Sequence, residues 1–196
     1  MSTTATKIPS TARDKVLDTA LQLFTRRGYF NTSMRDITRE SGVSTGSVYH
    51  YFKDKEGVAA ALYQQLLERM QWELEQIEAR HASAHDRCRA AVELLFSICQ
   101  REPQVMAFML YIRHREFLPN ERPVCSSRPF EMMRRMVEDG MQRGEIRAMD
   151  ALAAASCLFG GPIRLVTLAL DGMLERPLGD YLEETWDCCW RSVAAP

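Results

Sequence analysis

Residues 32–56, TSMRDITRESGVSTGSVYHYFKDKE, hold two helix starts and one helix stop so close together that few folds accommodate them. Ser33 followed by Asp36 is a capping box. The serine hydroxyl can accept from the third amide of a helix while the carboxylate reaches back to the serine N–H. A helix is therefore expected from Met34. Met34, Ile37 and Thr38 share one face and Arg35, Asp36, Arg39 and Glu40 the other, the pattern of a helix with one dry side. Gly42 stands where the chain must enter the left-handed region to leave that helix. Val43 plugs the corner, and Ser44 can cap a second helix. The second helix is too short to stand alone, so Val48 and Phe52 must anchor it on its neighbours. Two helices joined by a tight turn containing glycine make a helix-turn-helix unit, whose second helix enters the DNA major groove with its N-terminal residues first.

The side chains of that second helix suit the placement. Ser44, Thr45, Ser47, Tyr49, His50 and Tyr51, with Lys53 and Lys55 behind them, crowd hydroxyls, rings and ammonium groups onto one short segment. Such groups fit base edges and phosphates and are a poor choice for a core. Ile37, Gly42, Val43, Ser44, Gly46, Val48, Tyr49, Tyr51, Phe52, Lys55 and Glu56, taken in order, resemble the DNA-binding signature of the tetracycline-repressor (TetR/AcrR) family. Thr38 and Ser41 stand where that family often has alanine. Gly57 stands where a bulkier helix former is usual, which predicts a loosened start to the next helix.

The resemblance covers the N-terminal third of the chain and implies roles residue by residue. Thr45, Gly46, Ser47, Tyr49 and His50 would face the groove, Gly46 letting backbone approach DNA closely. Tyr49 and Tyr51 would bond phosphates, Lys55 would meet another, and Arg35 would reach in from the preceding helix. Ser33 and Ser44, at the two helix starts, complete the expected interface. The implied architecture is all-α with about nine helices, as in the resembled family: a flexible arm (1–10), a three-helix helix-turn-helix domain (11–57) and a helical effector-binding and dimerisation domain (58–196). The implied partners are a palindromic double-stranded DNA operator, a small effector and a second copy of the chain, with no cofactor.

Charge agrees with local contact to DNA. Residues 1–57 carry nine Lys/Arg against six Asp/Glu, and the remainder sixteen against twenty, for a net charge of −1. No apolar run approaches the about 20 residues needed to span a bilayer, and MSTTATKIPS is polar, without the apolar stretch of a signal peptide. A cytoplasmic protein without membrane contact is expected, its six cysteines reduced and without metal-ligand spacing.

The rest reads as helix. Thr11 and Asp14 form another capping box, opening a first helix that buries Val16, Leu17, Ala20, Leu21 and Phe24 and stops at Gly28. A long fourth helix is expected over about 54–80, then helices near 84–101, 103–117, 127–143, 148–173 and 178–193, broken at Pro103, the Pro119–Pro123 segment, Gly144 and Pro177. Gly160-Gly161-Pro162 should kink or break the helix that contains it. Leu152, Phe159, Ile163 and Val166 there, with Tyr181, Leu182, Trp186, Cys189 and Trp190 in the last helix, make more apolar surface than one neighbour can hide; a two-fold dimer is expected through them.

The middle of the body is soft and aromatic. Phe96, Met106, Met109, Tyr111, Phe130, Met133 and Phe159 suit an apolar ligand, with Arg113, His114 and Arg164 as candidate polar anchors. Two other readings stay open at this stage. Cys125 or the Cys188–Cys189 pair could make the regulator a redox sensor, and His114 could serve an all-helical hydrolase. No catalytic or metal-binding motif supports an enzyme.

Overall fold

The structure, a computed structural model, describes residues 11–119 and 126–196. The expected arm (1–10) and Cys125 lie outside them. Nine α-helices account for most of the described residues: α1 (Ala12–Arg27), α2 (Met34–Ser41), α3 (Thr45–Tyr51), α4 (Lys55–Arg80), α5 (Ala84–Arg101), α6 (Pro103–Tyr111), α7 (Arg128–Gln142), α8 (Ala151–Leu170) and α9 (Leu182–Arg191). Among the described residues the only β pairing is one isolated bridge between Ile146 and Ala194. The expected all-α fold is the observed one. The described residues form two compact units, the first ending at Tyr63 and the second starting at Gln64.

In the first unit, α1 opens on the Thr11–Asp14 capping box, and Gly28 (φ 84°) ends it. Val16, Leu17, Ala20, Leu23 and Phe24 of α1, Ile37 of α2, Val48 of α3 and Val58, Ala59 and Leu62 of α4 are buried, and α1 packs against α2 and α3. The α1–α2 loop is held from inside: Thr32 is buried and its hydroxyl donates to Gly28 O at 2.9 Å, while the Tyr29 ring lies 5.3 Å from Phe24. The loosened start expected at Gly57 does not occur. The Asp54 carboxylate accepts from Gly57 N at 2.7 Å, so a side-chain cap replaces the missing helix propensity.

The second unit is built around α5, which packs against α6, α7, α8 and α9 and buries Cys88, Val92, Leu95, Phe96 and Ile98. Close approach of α7 to α5 requires Gly140: a Cβ there would fall 2.7 Å from Ala84 Cβ and 2.8 Å from Ile146 Cδ1. Glu102, between α5 and α6, holds Arg69 of α4 through two bonds of 2.6 and 2.7 Å. His85 ties α5 to α9. Its Nε2 accepts from Trp186 Nε1 at 3.1 Å, Nδ1 faces Asp86 Oδ1 at 2.9 Å, and the Trp190 ring lies 4.7 Å away. Nδ1 is therefore the nitrogen that carries the proton in the neutral ring.

Three expectations need correction. α6 ends at Tyr111, because Ile112 turns extended (ψ 127°) and a 3₁₀ turn at His114–Glu116 replaces the helix expected to 117. α8 is not broken at Gly160-Gly161-Pro162, which corrects the expected break there, and Pro162 is buried. α8 is also, by length and composition, a helix apolar enough to cross a bilayer, with a mean hydropathy of 1.6. In this unit one side of it, through Ala154, Leu158, Phe159, Pro162 and Val166, is buried against its neighbours.

Candidate nucleic-acid interface and effector cavity

The local geometry of α2 and α3 follows from their caps. Ser33 Oγ accepts from Asp36 N at 3.2 Å, and Asp36 Oδ2 accepts from Ser33 N at 3.0 Å. The Ser33 hydroxyl and backbone bonds, followed by Arg39, hold the Asp36 carboxyl down at about 2. Arg27 and Arg39 bracket Asp36 and Glu40, Arg27 meeting Glu40 at 2.9 Å and Arg39 meeting Asp36 at 2.7 Å. Gly42 takes φ 67°, ψ 11°, the left-handed turn expected of it. Ser44 then caps α3 by accepting from Ser47 N at 3.2 Å, and the two hydroxyls lie 2.8 Å apart.

Val48 pins α3 to the core with no exposed surface, while Thr45, Gly46, Tyr49, His50 and Tyr51 face solvent. Tyr49 is 51% and Tyr51 46% exposed, large rings that the chain itself does not cover. Arg35 is also exposed. A Cβ added at Gly46 would meet no atom within 4 Å, so the packing of the free chain does not demand glycine there. Lys55 is turned inward. Its Nζ donates to Tyr29 O at 2.9 Å and lies 4.2 Å from the centre of the Tyr29 ring, and burial holds the ammonium below its ordinary value. Lys53, beside it, is exposed. Ser33, Ser44 and Ser47 are engaged in caps and Lys55 in a tie to the loop. That leaves Arg35, Thr45, Tyr49, His50 and Tyr51 as the expected residues presented outward.

In the second unit, Met106, Met109 and Phe130 come together as expected, around a cavity of about 40 Å³ that Met70, Leu95 and Ile163 help to line. Met133 and Phe159 instead line a neighbouring groove of about 200 Å³ between α7 and α8. Phe96 is core, away from both linings. The expected polar anchors are not in the cavity. Tyr111 Oη donates to Thr167 O (2.9 Å) and Asp171 Oδ1 (2.7 Å); Arg113 is exposed with Glu116 at 3.3 Å; Arg164 is exposed and reaches Thr167 Oγ1 at 3.2 Å. Guanidinium groups stay hydrated because an apolar cavity offers nothing to replace their water. His114 is buried between Phe108 and Phe117, with centroids at 4.8 and 6.0 Å, and burial lowers it to about 4. Ser127, which lines the cavity, was not expected from the sequence.

The expected dimer residues divide in the same way. Leu152 is 64% exposed, and Ala153, Ser156, Cys157, Gly160 and Gly161 continue an open face of small residues along α8. Ile163, Tyr181, Leu182, Cys189 and Trp190 are half-buried. Phe159, Val166 and Trp186 are buried by the chain itself, Trp186 to 1%, and have no surface left to bury against a partner. Cys188 is exposed. Burial pushes the Cys189 thiol up, with Cys188 and Cys157 adding to the effect, the opposite of what thiolate chemistry needs.

A capped helix, a left-handed glycine and a second helix anchored by one buried valine define the first unit as a helix-turn-helix DNA-binding domain. Residues 16–62 match the family model described as "Bacterial regulatory proteins, tetR family". The chain is similar to HTH-type transcriptional regulator HbdR of Aromatoleum sp. (strain CIB), 30% identical over 104 residues, 52% of this chain and 45% of that one. It thus spans less than half the length of that curated relative. A Bacillus subtilis (strain 168) fatty acid metabolism regulator protein is 23% identical over 74% of this chain and 77% of its own. Among solved structures, a TetR family transcription regulator from Marinobacter aquaeolei VT8 shares the fold at TM-score 0.76, with 20% identity, over 94% of this chain and 96% of that one. FadR from Bacillus subtilis in complex with stearoyl-CoA shares it at 0.72, with 20% identity, over 89% and 96%. The family match covers the helix-turn-helix unit, residues 16–62, and over that unit the chain is similar to the tetR family of bacterial regulatory proteins.

Proposed function

We propose that this chain is a cytoplasmic, ligand-responsive transcriptional repressor that binds a palindromic DNA operator as a homodimer and is released by a small apolar or amphipathic effector. The observation that carries the reading is α3: a short helix held by Val48, with Tyr49, His50 and Thr45 directed to solvent and an unhindered Gly46. Glycine costs a helix stability, so a glycine that internal packing does not require is best explained by an external surface that must come close. Tyr49, Tyr51 and Arg35 bond phosphates; Thr45 and His50 meet base edges.

The open face of α8 favours the dimer. Leu152 and the small residues beyond it allow close helix-on-helix approach, as a self-complementary two-fold contact requires. Half-buried Trp190, Tyr181 and Leu182 extend the surface on the side of α9. The Met-lined cavity supports an effector with an aliphatic part, and the stearoyl-CoA bound by the B. subtilis structural neighbour points the same way. The effector acts by binding one spacing of the two heads better than the other, since equal affinity shifts nothing.

Selection from random duplex DNA with the purified protein tests the reading. Enrichment of a two-fold palindrome, bound by a particle of two chains in sedimentation, is expected. A monomer, or an enriched site without two-fold symmetry, overturns it.

A further inference from the structure

We infer that the cavity takes the oxygen-bearing end of an uncharged, unbranched aliphatic molecule, held through the Ser127 hydroxyl. The inference rests on the reading of this cavity as the effector site and adds the chemistry that fills it. Ser127 lines the cavity, is 4% exposed, and its Oγ is buried without a hydrogen-bond partner. A buried hydroxyl left unsatisfied is destabilising, and buried polar groups are nearly always paired.

Its place at the start of a helix makes the missing partner unusual. Ser127 is the N-cap of α7, yet it makes no side-chain cap bond. Elsewhere Thr11, Ser33, Ser44, Ser83 and Asp150 each accept from the amide three residues on. Phe130, three residues on from Ser127, has an N–H that the hydroxyl does not bond, and Pro129, at the second helical position, has none to offer. The hydroxyl therefore stands at the wall of the cavity beside the positive end of a 15-residue helix, where an oxygen acceptor is favoured.

The rest of the lining sets the class of ligand. Leu66, Leu95, Val105, Met106 and Met109 present carbon and sulfur. Among the described residues no cation lines the cavity, and Arg128, next to Ser127 in sequence, is exposed with Glu131 at 3.7 Å. A carboxylate would enter without a counter-ion, which disfavours an acid and favours an alcohol, ketone or ester oxygen. At about 40 Å³ the cavity accepts a narrow chain end, and its methionines can yield to more. Phe130 and Ile163 line both the cavity and the 200 Å³ groove, so rotation of the Phe130 side chain gives the remainder of the chain a way out.

Calorimetric titration of the full chain with 1-octanol, 1-chlorooctane and octanoate tests this, using wild type, Ser127→Ala and Met109→Trp. Wild type is expected to bind 1-octanol about tenfold tighter than 1-chlorooctane, roughly the worth of one hydrogen bond, and octanoate most weakly. Ser127→Ala should bind the alcohol and the chloride alike without melting at lower temperature, since its hydroxyl has no bond to lose. A preference for 1-octanol that persists in Ser127→Ala, tightest binding by octanoate, or no binding by wild type overturns the inference. Met109→Trp separates the two levels. If it abolishes binding while Ser127→Ala changes nothing, the cavity stands and the anchor falls. If it binds 1-octanol as wild type does, the cavity reading falls too.

Discussion

The candidate sites of the two units stand in opposite relation to their own cores, outside the core in the first and within it in the second. In the first, residues 11–63, the core is hidden under short helices and the chemistry points outward: Tyr49 and Tyr51 are half-exposed while Val48 beneath them is sealed. The caps that start α2 and α3 are local, from Ser33 to Asp36 and from Ser44 to Ser47. In the second, residues 64–196, the chemistry points inward, and Met70, Met106, Ser127 and Ile163 meet across almost a hundred positions of sequence. An outward site built by local caps tolerates much variation elsewhere. Under the proposed reading an inward site shares its walls with the core, so substitutions that alter ligand binding there also alter packing, whereas substitutions on the exposed face of α3 need not.

The largest break in that comparison is expected from Val48→Asp. An unpaired carboxylate in place of a fully buried side chain costs several kcal/mol, enough to unfold α3 and abolish specific DNA binding. Dimerisation and effector binding are expected to persist. Sedimentation and DNA-binding titration of one preparation check this, and loss of the dimer together with DNA binding would show that the units do not fold separately.

Gly46→Ala sharpens the comparison by moving its two quantities in opposite directions. With free space around Gly46, alanine is expected to stabilise the free protein by about 0.4–1 kcal/mol. The added methyl is expected to weaken operator binding tenfold or more by holding the helix away from DNA. Thermal melts beside binding isotherms read both. Equal or tighter operator binding would remove Gly46 from the interface.

Acid should separate the units by pH. Burial holds His114 at about 4 against an ordinary 6.5, so the folded second unit resists a proton that the unfolded chain accepts. Its contribution is complete above pH 6.5 and is lost as pH falls from 6.5 toward 4, a loss on the order of 2 kcal/mol. Asp36 in the head, lowered to about 2 from 3.8, loses its contribution only as pH falls from 3.8 toward 2. All three tryptophans (72, 186 and 190) lie in the second unit, so their fluorescence reports on it alone. Denaturant midpoints at pH 7 and pH 5 should differ in wild type and much less in His114→Phe.

The contrast between the units also governs what the sequence discloses. Caps act over three residues and glycine turns over one, so the helix-turn-helix, the Thr11 and Ser33 boxes and the exposed face of α3 were all legible. The inward site was legible only in part. Met106, Met109 and Phe130 were found because soft apolar side chains cluster in one stretch, but which of them face a cavity depends on how α4 to α8 pack. Chemical suitability alone puts Arg113 and Arg164 inside, and hydration keeps them outside. The apolar stripe puts Trp186 on an assembly surface, and in the structure it is buried with its Nε1 donating to His85 Nε2. Ser127 is legible only as a helix-capping serine; that its hydroxyl leaves the Phe130 amide unbonded and lies buried at the cavity wall depends on the packing.

The smallest effect distinguishes two neighbouring lysines. Lys55 matches the family motif and was expected on a phosphate, yet its ammonium bonds Tyr29 O and covers the Tyr29 ring. Lys53 has no place in the motif and faces solvent. Lys55→Met is therefore expected to lower stability by about 1 kcal/mol, from the lost bond and cation–π contact, with little change in the salt dependence of DNA binding. Lys53→Met should leave stability alone and reduce the slope of log affinity against log salt by about one, as removal of one phosphate contact does. Salt titrations of both variants decide it. If Lys55→Met flattens the slope and Lys53→Met does not, the ammonium leaves Tyr29 when DNA arrives, and the head is less rigid than its caps imply.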